Sequence, residues 1–550
     1  MNRLLLLYLL VLLPVFQSAA QTRLHLVYTD KPDSLHEEFS VSDSSEARSK
    51  LLEIQQTDHD NAYFFAGYDS IRRVDDGIKA WYFRGEQFSW DTALLAEPEN
   101  VHPGIVDINH LMSRPPSPLR LKHWIEKTSE SLNRYYPLAV LSVDSIVPVH
   151  QGKLTIFLSI ENAHTLTFED FDISGFHDFP KEYLYTRIHM FPGDVYSASK
   201  LERIESVLQM MPFAEAGEKW YAETTDSTFI VNLPLKEVQA SSFSGILGLL
   251  PGDEKQNLYL TGQLDLKLVN VLKRAESIAM QWQSPDQESQ ELDLGVDFPL
   301  VYKALGLAGN FTLEKKDSSF VNLALHGELR YLRGLSTSSF FYEYEQSNSL
   351  LLSDNPLFAN VRSDMFGLAY RYRKLNHLVN PSKGTELNFR LSAGRRYGDD
   401  MNPGVKGNLS LDLRHYLPFG KNISLKTALN SRYILAEDLY RNELVRLGGI
   451  GSMRAYQTSS FWTSAYALCS ADLIFYPDEN SSLYVFAESG IISSDFGVAE
   501  GTFYPFAGGA GVLITTNLGG LSLSYGVGRS FDAFLDLRQS QINIGYVNNF

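Results

Sequence analysis

The chain has 550 residues, with 48 Lys and Arg against 65 Asp and Glu, and a single cysteine. A net charge of −17 argues against nucleic acid as a partner, because phosphate binding needs concentrated positive charge. One cysteine excludes an intramolecular disulfide and any multi-cysteine zinc or iron–sulfur site. The chain also has 33 Phe and 29 Tyr, and this aromatic-rich, acidic composition is typical of an outer-membrane β-barrel.

The first 20 residues predict a secretory signal peptide. Arg3 precedes an apolar run, Leu4–Phe16, and three small residues ending at Ala20 follow it. A charged start, a short apolar core and a cleavage site of the A-x-A kind are the parts of such a signal. A retained anchor is the alternative, but an apolar run of about 13 residues is short for a membrane span of about 20. We therefore expect the mature chain to leave the cytoplasm.

The next part of the chain mixes helical and strand patterns and predicts three α+β modules, over residues 21–90, 91–165 and 166–237. Asp69-Ser70-Ile71 and Gly77 in the first module recur as Asp144-Ser145-Ile146 and Gly152 in the second, both offset by 75 residues. A fixed offset across two elements predicts duplicated modules. Chance is the alternative, because the matched positions are few.

The third module has the clearest pattern. A strand over Phe168–Ser174 and a helix over Pro180–Met190 are followed by a second helix and by strands over Lys219–Glu223 and Thr228–Lys236. This β-α-α-β-β order, with Gly193-Asp194-Val195-Tyr196-Ser197 before the second helix, resembles the POTRA (polypeptide-transport-associated) domain, of which residues 21–90 would be a degenerate copy. The resemblance implies periplasmic modules that offer sheet edges, here around Phe229, to extended polypeptides. A simple spacer is the alternative.

Residues 238–550 alternate apolar and polar side chains with a period of two. The pattern is clear over Leu258–Leu268, Leu292–Phe298 and Leu323–Tyr331. A soluble sandwich also alternates, but its strands are usually about 5–6 residues long. Longer strands with one charged face fit a transmembrane barrel with a wet lumen, and this length accommodates about 16 strands at roughly 20 residues for each strand and connection.

Two acidic residues and one arginine form a candidate site inside this barrel. Asp472 and Glu488 lie on strand patterns where a carboxylate facing lipid would be costly, so we expect both to face the lumen. Arg454 is the nearest cation in sequence, and its guanidinium can bind two carboxylates. The alternative is three unrelated solvated charges. Lys426 serves as the comparison, a cation that we expect to matter less.

The segment around Arg454 resembles a known signature. Gly449-x-x-Ser452-Met453-Arg454-Ala455-Tyr456 is similar to the Gly-Gly…Ser-Val-Arg-Gly-Phe/Tyr motif of the BamA/TamA superfamily of outer-membrane assembly and translocation proteins. The resemblance implies a loop folded back into the lumen, whose arginine pairs with acidic residues on adjacent strands, here Asp472 and Glu488. Phe486-x-Glu488-x-Gly490 resembles the family's Phe-x-Asp-x-Gly strand.

The end of the chain adds to the resemblance. Its residues Asn543, Gly545 and Phe550 match the polar-x-Gly-x-x-aromatic-x-Phe sorting signal of barrel proteins, with Asn548 in place of the aromatic residue. Ala455 in place of the motif glycine raises the question of how tightly the loop turns. Three modules resemble the TamA members in architecture more than BamA, which has five.

The sequence shows no catalytic site, and we expect no enzyme activity, cofactor or metal. Ser197-Ala198-Ser199-Lys200 matches a Ser-x-x-Lys nucleophile motif, but it lies at a helix start, where serine is expected as a cap. The resemblance implies an insertase or translocase of a Gram-negative outer membrane. Its partners would be unfolded outer-membrane or secreted polypeptides, outer-membrane lipids, and periplasmic or inner-membrane proteins. The alternatives are a passive channel, a two-partner-type secretion pore, a lipid conduit and an adhesive surface protein.

Overall fold

The computed structural model describes residues 22–30, 36–75, 77–96, 101–102, 104–150, 152–251, 258–284, 289–316, 319–350, 357–377, 380–399, 401–449, 451–478, 480–497, 501–516, 519–529 and 540–547. The predicted signal peptide, and Asn548 and Phe550 of the predicted sorting signal, lie outside these residues. No helix within the described ranges has the length and apolar character needed to cross a membrane. The chain divides into two compact units, Met1–Leu166 with Val195–Ala198, and Thr167–Asp194 with Ser199–Phe550.

The first unit contains two sheets. The first sheet has the order β2-β1-β4-β3, and helix α1 packs on it. Asp43 caps α1 by accepting hydrogen bonds from the backbone of Ser45 and Glu46, and Ala47 and Leu51 form its buried face. The elements are β1 (Thr22–Tyr28), β2 (His36–Val41), α1 (Ser44–Asp60), β3 (Gly67–Val74) and β4 (Gly77–Phe83).

The second sheet has the order β5-β7-β6 and carries two helices. Its longer helix begins as the residue types favour, with Ser117 accepting a hydrogen bond from the Arg120 N–H and proline in the first turn. Trp124 and Leu132 of that helix are buried in the module's core. The elements are β5 (Ser89–Ala96), α2 (Ile108–Met112), α3 (Pro118–Asn133), β6 (Val140–Pro148) and β7 (Lys153–Glu161).

These two sheets share a pairing pattern. In each, the last strand is parallel to the first strand and antiparallel to the strand before it. Each antiparallel pair has a register shift, at Asp69 between Tyr68 and Ser70 and at Asp144 between Val143 and Ser145. The two irregularities are separated by the same 75 residues as the repeated sequence. A bulge preserved at equivalent places supports duplication over chance.

A third sheet belongs to the second unit and has the order β10-β11-β8, with β9 also paired to β11. The expectation that Phe229 lies on an edge strand is wrong. Phe229 lies in the central strand β11, because β11 pairs with β8 on one side and with β10 on the other. Its ring is 1% exposed and packs against Phe168. The elements are β8 (Thr167–Ser174), α4 (Lys181–Ile188), α5 (Ala198–Leu201), α6 (Arg203–Leu208), β9 (Ala214–Ala216), β10 (Tyr221–Thr224) and β11 (Thr228–Glu237).

The rest of the second unit is an antiparallel sheet in which, over the described residues, 18 strands follow one another in chain order. Two of them, β23 and β26, are three-residue additions, and the remaining 16 agree with the expected number. The strands are β12 (Ser242–Pro251), β13 (Leu258–Val269), β14 (Ser277–Ser284), β15 (Gln290–Tyr302), β16 (Leu305–Lys316), β17 (Phe320–Arg333), β18 (Ser336–Ser349), β19 (Val361–Leu375), β20 (Gly384–Gly398), β21 (Met401–Pro418), β22 (Ile423–Leu435), β23 (Val445–Leu447), β24 (Phe461–Asp478), β25 (Ser481–Gly497), β26 (Gly501–Phe503), β27 (Phe506–Thr516), β28 (Gly519–Gly528) and β29 (Gln541–Val547).

The two faces of this sheet differ in chemistry. On β24, Asp472 and Ile474 are buried while Leu473 and Phe475 are exposed, so the apolar outer face alternates with an inner face that carries charge. Cys469 is exposed on the same face as Leu473. An apolar exterior around a charged interior is the arrangement of a membrane-spanning barrel.

Candidate functional site: a loop inside the barrel

Residues 436–460, the lumenal loop, connect β22 to β24 and contact strands far apart in the strand order. The Arg446 side chain binds Glu314 on β16, and the Arg454 carbonyl accepts a hydrogen bond from Asn543 on β29. One loop that contacts both β16 and β29 requires the sheet to curve around it. The lumenal loop therefore lies within the barrel.

The turn of this loop depends on two glycines. Gly448 and Gly449 have φ angles of 117° and 89°, a backbone region that favours glycine. The Gly448 N–H donates to Ser452 Oγ at 2.8 Å, and the Gly449 N–H donates to the carbonyls of Met453 and Tyr456 at 3.1 and 2.9 Å. Ala455 is not among the described residues with positive φ, so alanine in place of the motif glycine introduces no backbone strain there.

Arg454 is bound by both acidic residues singled out from the sequence. Its Nε donates to Glu488 Oε1 at 2.6 Å, and its Nη1 and Nη2 donate to the two oxygens of Asp472 at 3.1 and 2.7 Å. The Arg454 backbone N–H also donates to Glu488, at 3.1 Å. Asp472 is only 2% exposed, so this carboxylate depends on its cations for compensation of its lost hydration.

Lys426 belongs to the same cluster, which the sequence did not reveal. Its Nζ donates to Asp472 Oδ2 at 3.0 Å, so the cation chosen for comparison is itself a partner of the site. The pairing arises because Lys426 on β22 lies directly opposite Asp472 on β24 in the strand register. A comparison of Arg454 with Lys426 would therefore compare two partners of one carboxylate.

The guanidinium of Arg454 also lies 3.8 Å above the ring of Phe486, a distance typical of a cation–π contact. Phe486 in turn packs on glycines of the next two strands. A Cβ atom at Gly509 on β27 or Gly526 on β28 would lie 2.6 or 3.2 Å from the Phe486 ring. Gly490 has a different role, because its Cβ would lie 2.3 Å from the Ala467 carbonyl of β24. The strand motif thus combines an aromatic support with close backbone approach.

Tyr456, the last residue of the loop motif, binds two backbone carbonyls and packs on an aromatic ring. Its hydroxyl proton is shared between the carbonyl oxygens of Phe506 and Arg529, which lie 3.3 and 3.1 Å from the hydroxyl oxygen, and its ring packs edge-on against Phe461. We expect Tyr456→Phe to lower the free energy of unfolding of the barrel by about 1 kcal/mol, because carbonyls lose a donor while the ring contacts remain. Urea unfolding of the solubilised protein, followed by tryptophan fluorescence, measures this. Tyr433→Phe, at an exposed ring, is the control. An equal loss in both variants would contradict the role of the hydroxyl.

The predicted C-terminal signal is only partly within the described residues. Gly545 pairs with Ser522 of β28. Asn543, besides its place in the signal, donates from Nδ2 to the Arg454 carbonyl at 2.7 Å. No sequence pattern indicates that the last strand and the lumenal loop meet, since 89 residues separate the two partners. Among the described residues, no cluster of His, Cys, Asp and Glu is arranged to hold a metal ion.

No protein-family model matches the sequence, and no curated protein matches it. Several solved structures are similar to this chain in fold. CdiB from Escherichia coli has a TM-score of 0.51 and 13% identity, covering 90% of this chain and 96% of that chain. CdiB from Acinetobacter baumannii has a TM-score of 0.47 and 14% identity, over 80% and 86% of the two chains. BamA from Haemophilus ducreyi lacking POTRA domains 1–3 has a TM-score of 0.44 and 14% identity, over 84% and 100%.

The likeness to Escherichia coli CdiB extends over nearly the whole of both chains and concerns the fold. The fold class predicted from the sequence, α+β modules followed by an antiparallel β-barrel, is confirmed. At 13% identity the likeness carries no residue roles, so the roles of Arg454 and its partners rest on the geometry described above.

Proposed function

We propose that this chain is an outer-membrane polypeptide transporter of the BamA/TamA superfamily, with its three modules in the periplasm, and that it assists the assembly of outer-membrane proteins. The observation that carries the proposal is Arg454 of an internal loop bound to both Asp472 and Glu488, inside a barrel that follows α+β modules. Neither step proposed below needs a nucleotide or a catalytic residue. The modules would bind an unfolded client, and the barrel would present an edge on which the client strand pairs.

The strand β10 supports the first step. Within the described part of the chain it pairs with β11 alone, and all four of its residues are exposed. An edge of this kind presents N–H and C=O groups that an extended polypeptide can pair with by strand addition. The third module therefore has an available edge at Tyr221–Thr224, on a different strand from Phe229.

The ends of the barrel sheet support the second step. β12 and β29 are the first and last strands in the sheet order, and the described residues of the two strands show no pairing with each other. Ile246 on β12 and Ile544 on β29 are exposed on the apolar face. A client that pairs at this seam and then closes its own barrel buries its edges and its apolar face, which supplies the free energy of insertion.

A passage through the lumen is the second candidate. Beside Arg454 lies a cavity of about 620 Å³, lined in part by Asp472, Lys426 and Asn430. A cavity lined partly by charged side chains next to the loop favours a secretion pore or other conduit, in which a substrate crosses through the barrel interior. In that case the modules would deliver the substrate to the lumen and the seam would stay closed.

Site-specific photo-crosslinking distinguishes the two candidates. We expect a crosslinker at Tyr221 and one at Ile544 to capture newly made outer-membrane proteins, because these positions lie on the available edge of β10 and on the last strand. A crosslinker at the buried Phe229 is the matched control within the same module. If Ile544 captured only the protein's own β12, the barrel would be closed at the seam and the assembly function would be contradicted.

A further inference from the structure

The first half of the lumenal loop is held by a second group of charges, distant in sequence from the Arg454 motif. Arg396 on β20 is 1% exposed, although arginine is rarely fully buried unless paired. Its Nε donates to Glu443 of the loop at 2.9 Å, and its Nη1 and Nη2 donate to the loop carbonyls of Glu437 and Asp438 at 2.8 and 2.9 Å. One barrel side chain thus holds three loop residues.

Two further charges complete this group. Lys406 on β21 is 4% exposed, and its Nζ donates to Glu345 on β18 at 2.7 Å and lies 3.8 Å from Glu443 Oε1. We call Arg396, Lys406, Glu345 and Glu443 the outer lock. It contains two cations and two anions, and Glu443 is the anion that the loop supplies. Removing the loop would take from the buried Arg396 its carboxylate partner and the two carbonyls that it binds, which is costly at a buried site.

Two neutral hydrogen bonds and one more ion pair fix the same half of the loop. Asn442 Nδ2 donates to Ser347 Oγ on β18 at 2.7 Å and to the Ala359 carbonyl at 2.9 Å. Arg446 binds Glu314 on β16. The first half of the loop is therefore attached to β16, β18, β20 and β21, whereas Arg454 attaches the second half to β24 and β25 and to Asn543 of β29.

We infer that the outer lock is a second latch that keeps the lumenal loop across the barrel interior and closes the lumen to solutes, independently of Arg454. This deepens the proposed function and rests on it, since closure matters only if the barrel is a transport device. The two latches hold opposite halves of the loop. If one latch is released, its half of the loop can move while the other half stays attached. Loss of the outer lock therefore leaves the Glu437–Arg446 half attached only through Asn442 and Arg446, while Arg454 still holds the motif.

Single-channel conductance in planar bilayers tests the inference with the full-length protein. We expect Arg396→Gln and Glu443→Gln each to raise the fraction of time spent open by about tenfold, because each removes one partner of a buried ion pair. The double variant should open less than the product of the two single effects predicts, since both variants remove the Arg396–Glu443 pair. Arg362→Gln is the matched control, because Arg362 forms an exposed pair with Asp364, at 3.0 Å, outside the loop contacts.

A reversible tether tests the same latch without relying on charge. Ser347→Cys and Asn442→Cys, introduced together with Cys469→Ser, place two thiols where a hydrogen bond joins the native side chains. In the Arg396→Gln background, oxidation should restore wild-type closure and reduction should reopen the channel. If folded Arg396→Gln were as closed as Arg362→Gln, or if oxidation left its openings unchanged, the latch would be refuted. Client crosslinking at Tyr221 is a separate readout. If no client were captured at Tyr221 but the conductance results were as expected, the assembly function would be contradicted and the latch would still be supported.

Discussion

Arg454→Ala should lower the free energy of unfolding of the barrel by about 3 kcal/mol, because it removes the main partner of two largely buried carboxylates. Lys426 keeps one contact with Asp472, so we expect the lower end of the range for a broken buried pair. The cation–π contact with Phe486 is lost as well. Urea unfolding of the protein in detergent micelles measures the loss, and assembly of a client barrel in proteoliposomes should fall with it.

The control for this prediction is Arg362→Ala, which removes an arginine whose ion pair with Asp364 is exposed and hence contributes little. Asp472→Asn gives a further check. It weakens the contacts of both Arg454 and Lys426, so we expect a loss at least as large as that of Arg454→Ala. Similar small losses for Arg454→Ala and Arg362→Ala would show that the loop is not held by these charges.

Gly509→Val should be at least as damaging, with a loss of about 3 kcal/mol or failure to assemble, because overpacking here meets backbone. A Cβ at Gly509 would lie 2.1 Å from the Tyr525 carbonyl of β28 and 2.6 Å from the Phe486 ring. The added side chain therefore displaces β28 and also pushes Phe486 from its place beneath Arg454. The amount of heat-resistant folded barrel on cold gels, followed by urea unfolding, measures both outcomes.

The neighbouring glycine provides the matched control. The nearest atom to a Cβ at Gly508 is the Phe486 carbonyl oxygen at 3.6 Å, an ordinary contact, so Gly508→Ala should leave stability unchanged within about 0.5 kcal/mol. The two positions are adjacent on the same strand, and only one of them lies over the Phe486 ring. If Gly509→Val assembled as well as Gly508→Ala, the close packing of β27 on β25 would not constrain the site.

The barrel and the Arg454 cluster could be predicted from the sequence because each has a local sequence pattern. Period-two alternation fixes which side chains share a face, so Asp472 and Glu488 could be placed inward without knowledge of their partners. The glycines then marked the loop motif, and its single arginine was the candidate cation. Modules could be recognised for the same reason, since helix caps such as Ser117 and repeated segments are short-range features.

The remaining parts depend on pairings that no local pattern records. Phe229 was expected on an edge strand, but its strand lies between β8 and β10 through a parallel pairing with β8, which is distant in the chain. Lys426 faces Asp472 only through the register of β22 on β24. Arg396 and Glu443 are 47 residues apart, and neither lies in a recognisable motif. An alternating pattern gives the face of a residue and leaves its neighbour on that face undetermined.

The hydrogen bond from Asn543 to the Arg454 carbonyl has a consequence for the order in which the barrel is built. The loop is made before β24 to β29, yet one of its contacts comes from the last strand of the sheet. Until β29 has joined the sheet, the loop can bind β16 to β21 but lacks the contact from Asn543. A barrel that lacked β29 would therefore carry a loop without this contact, and the addition of the last described strand to the sheet would complete the described attachments of the loop.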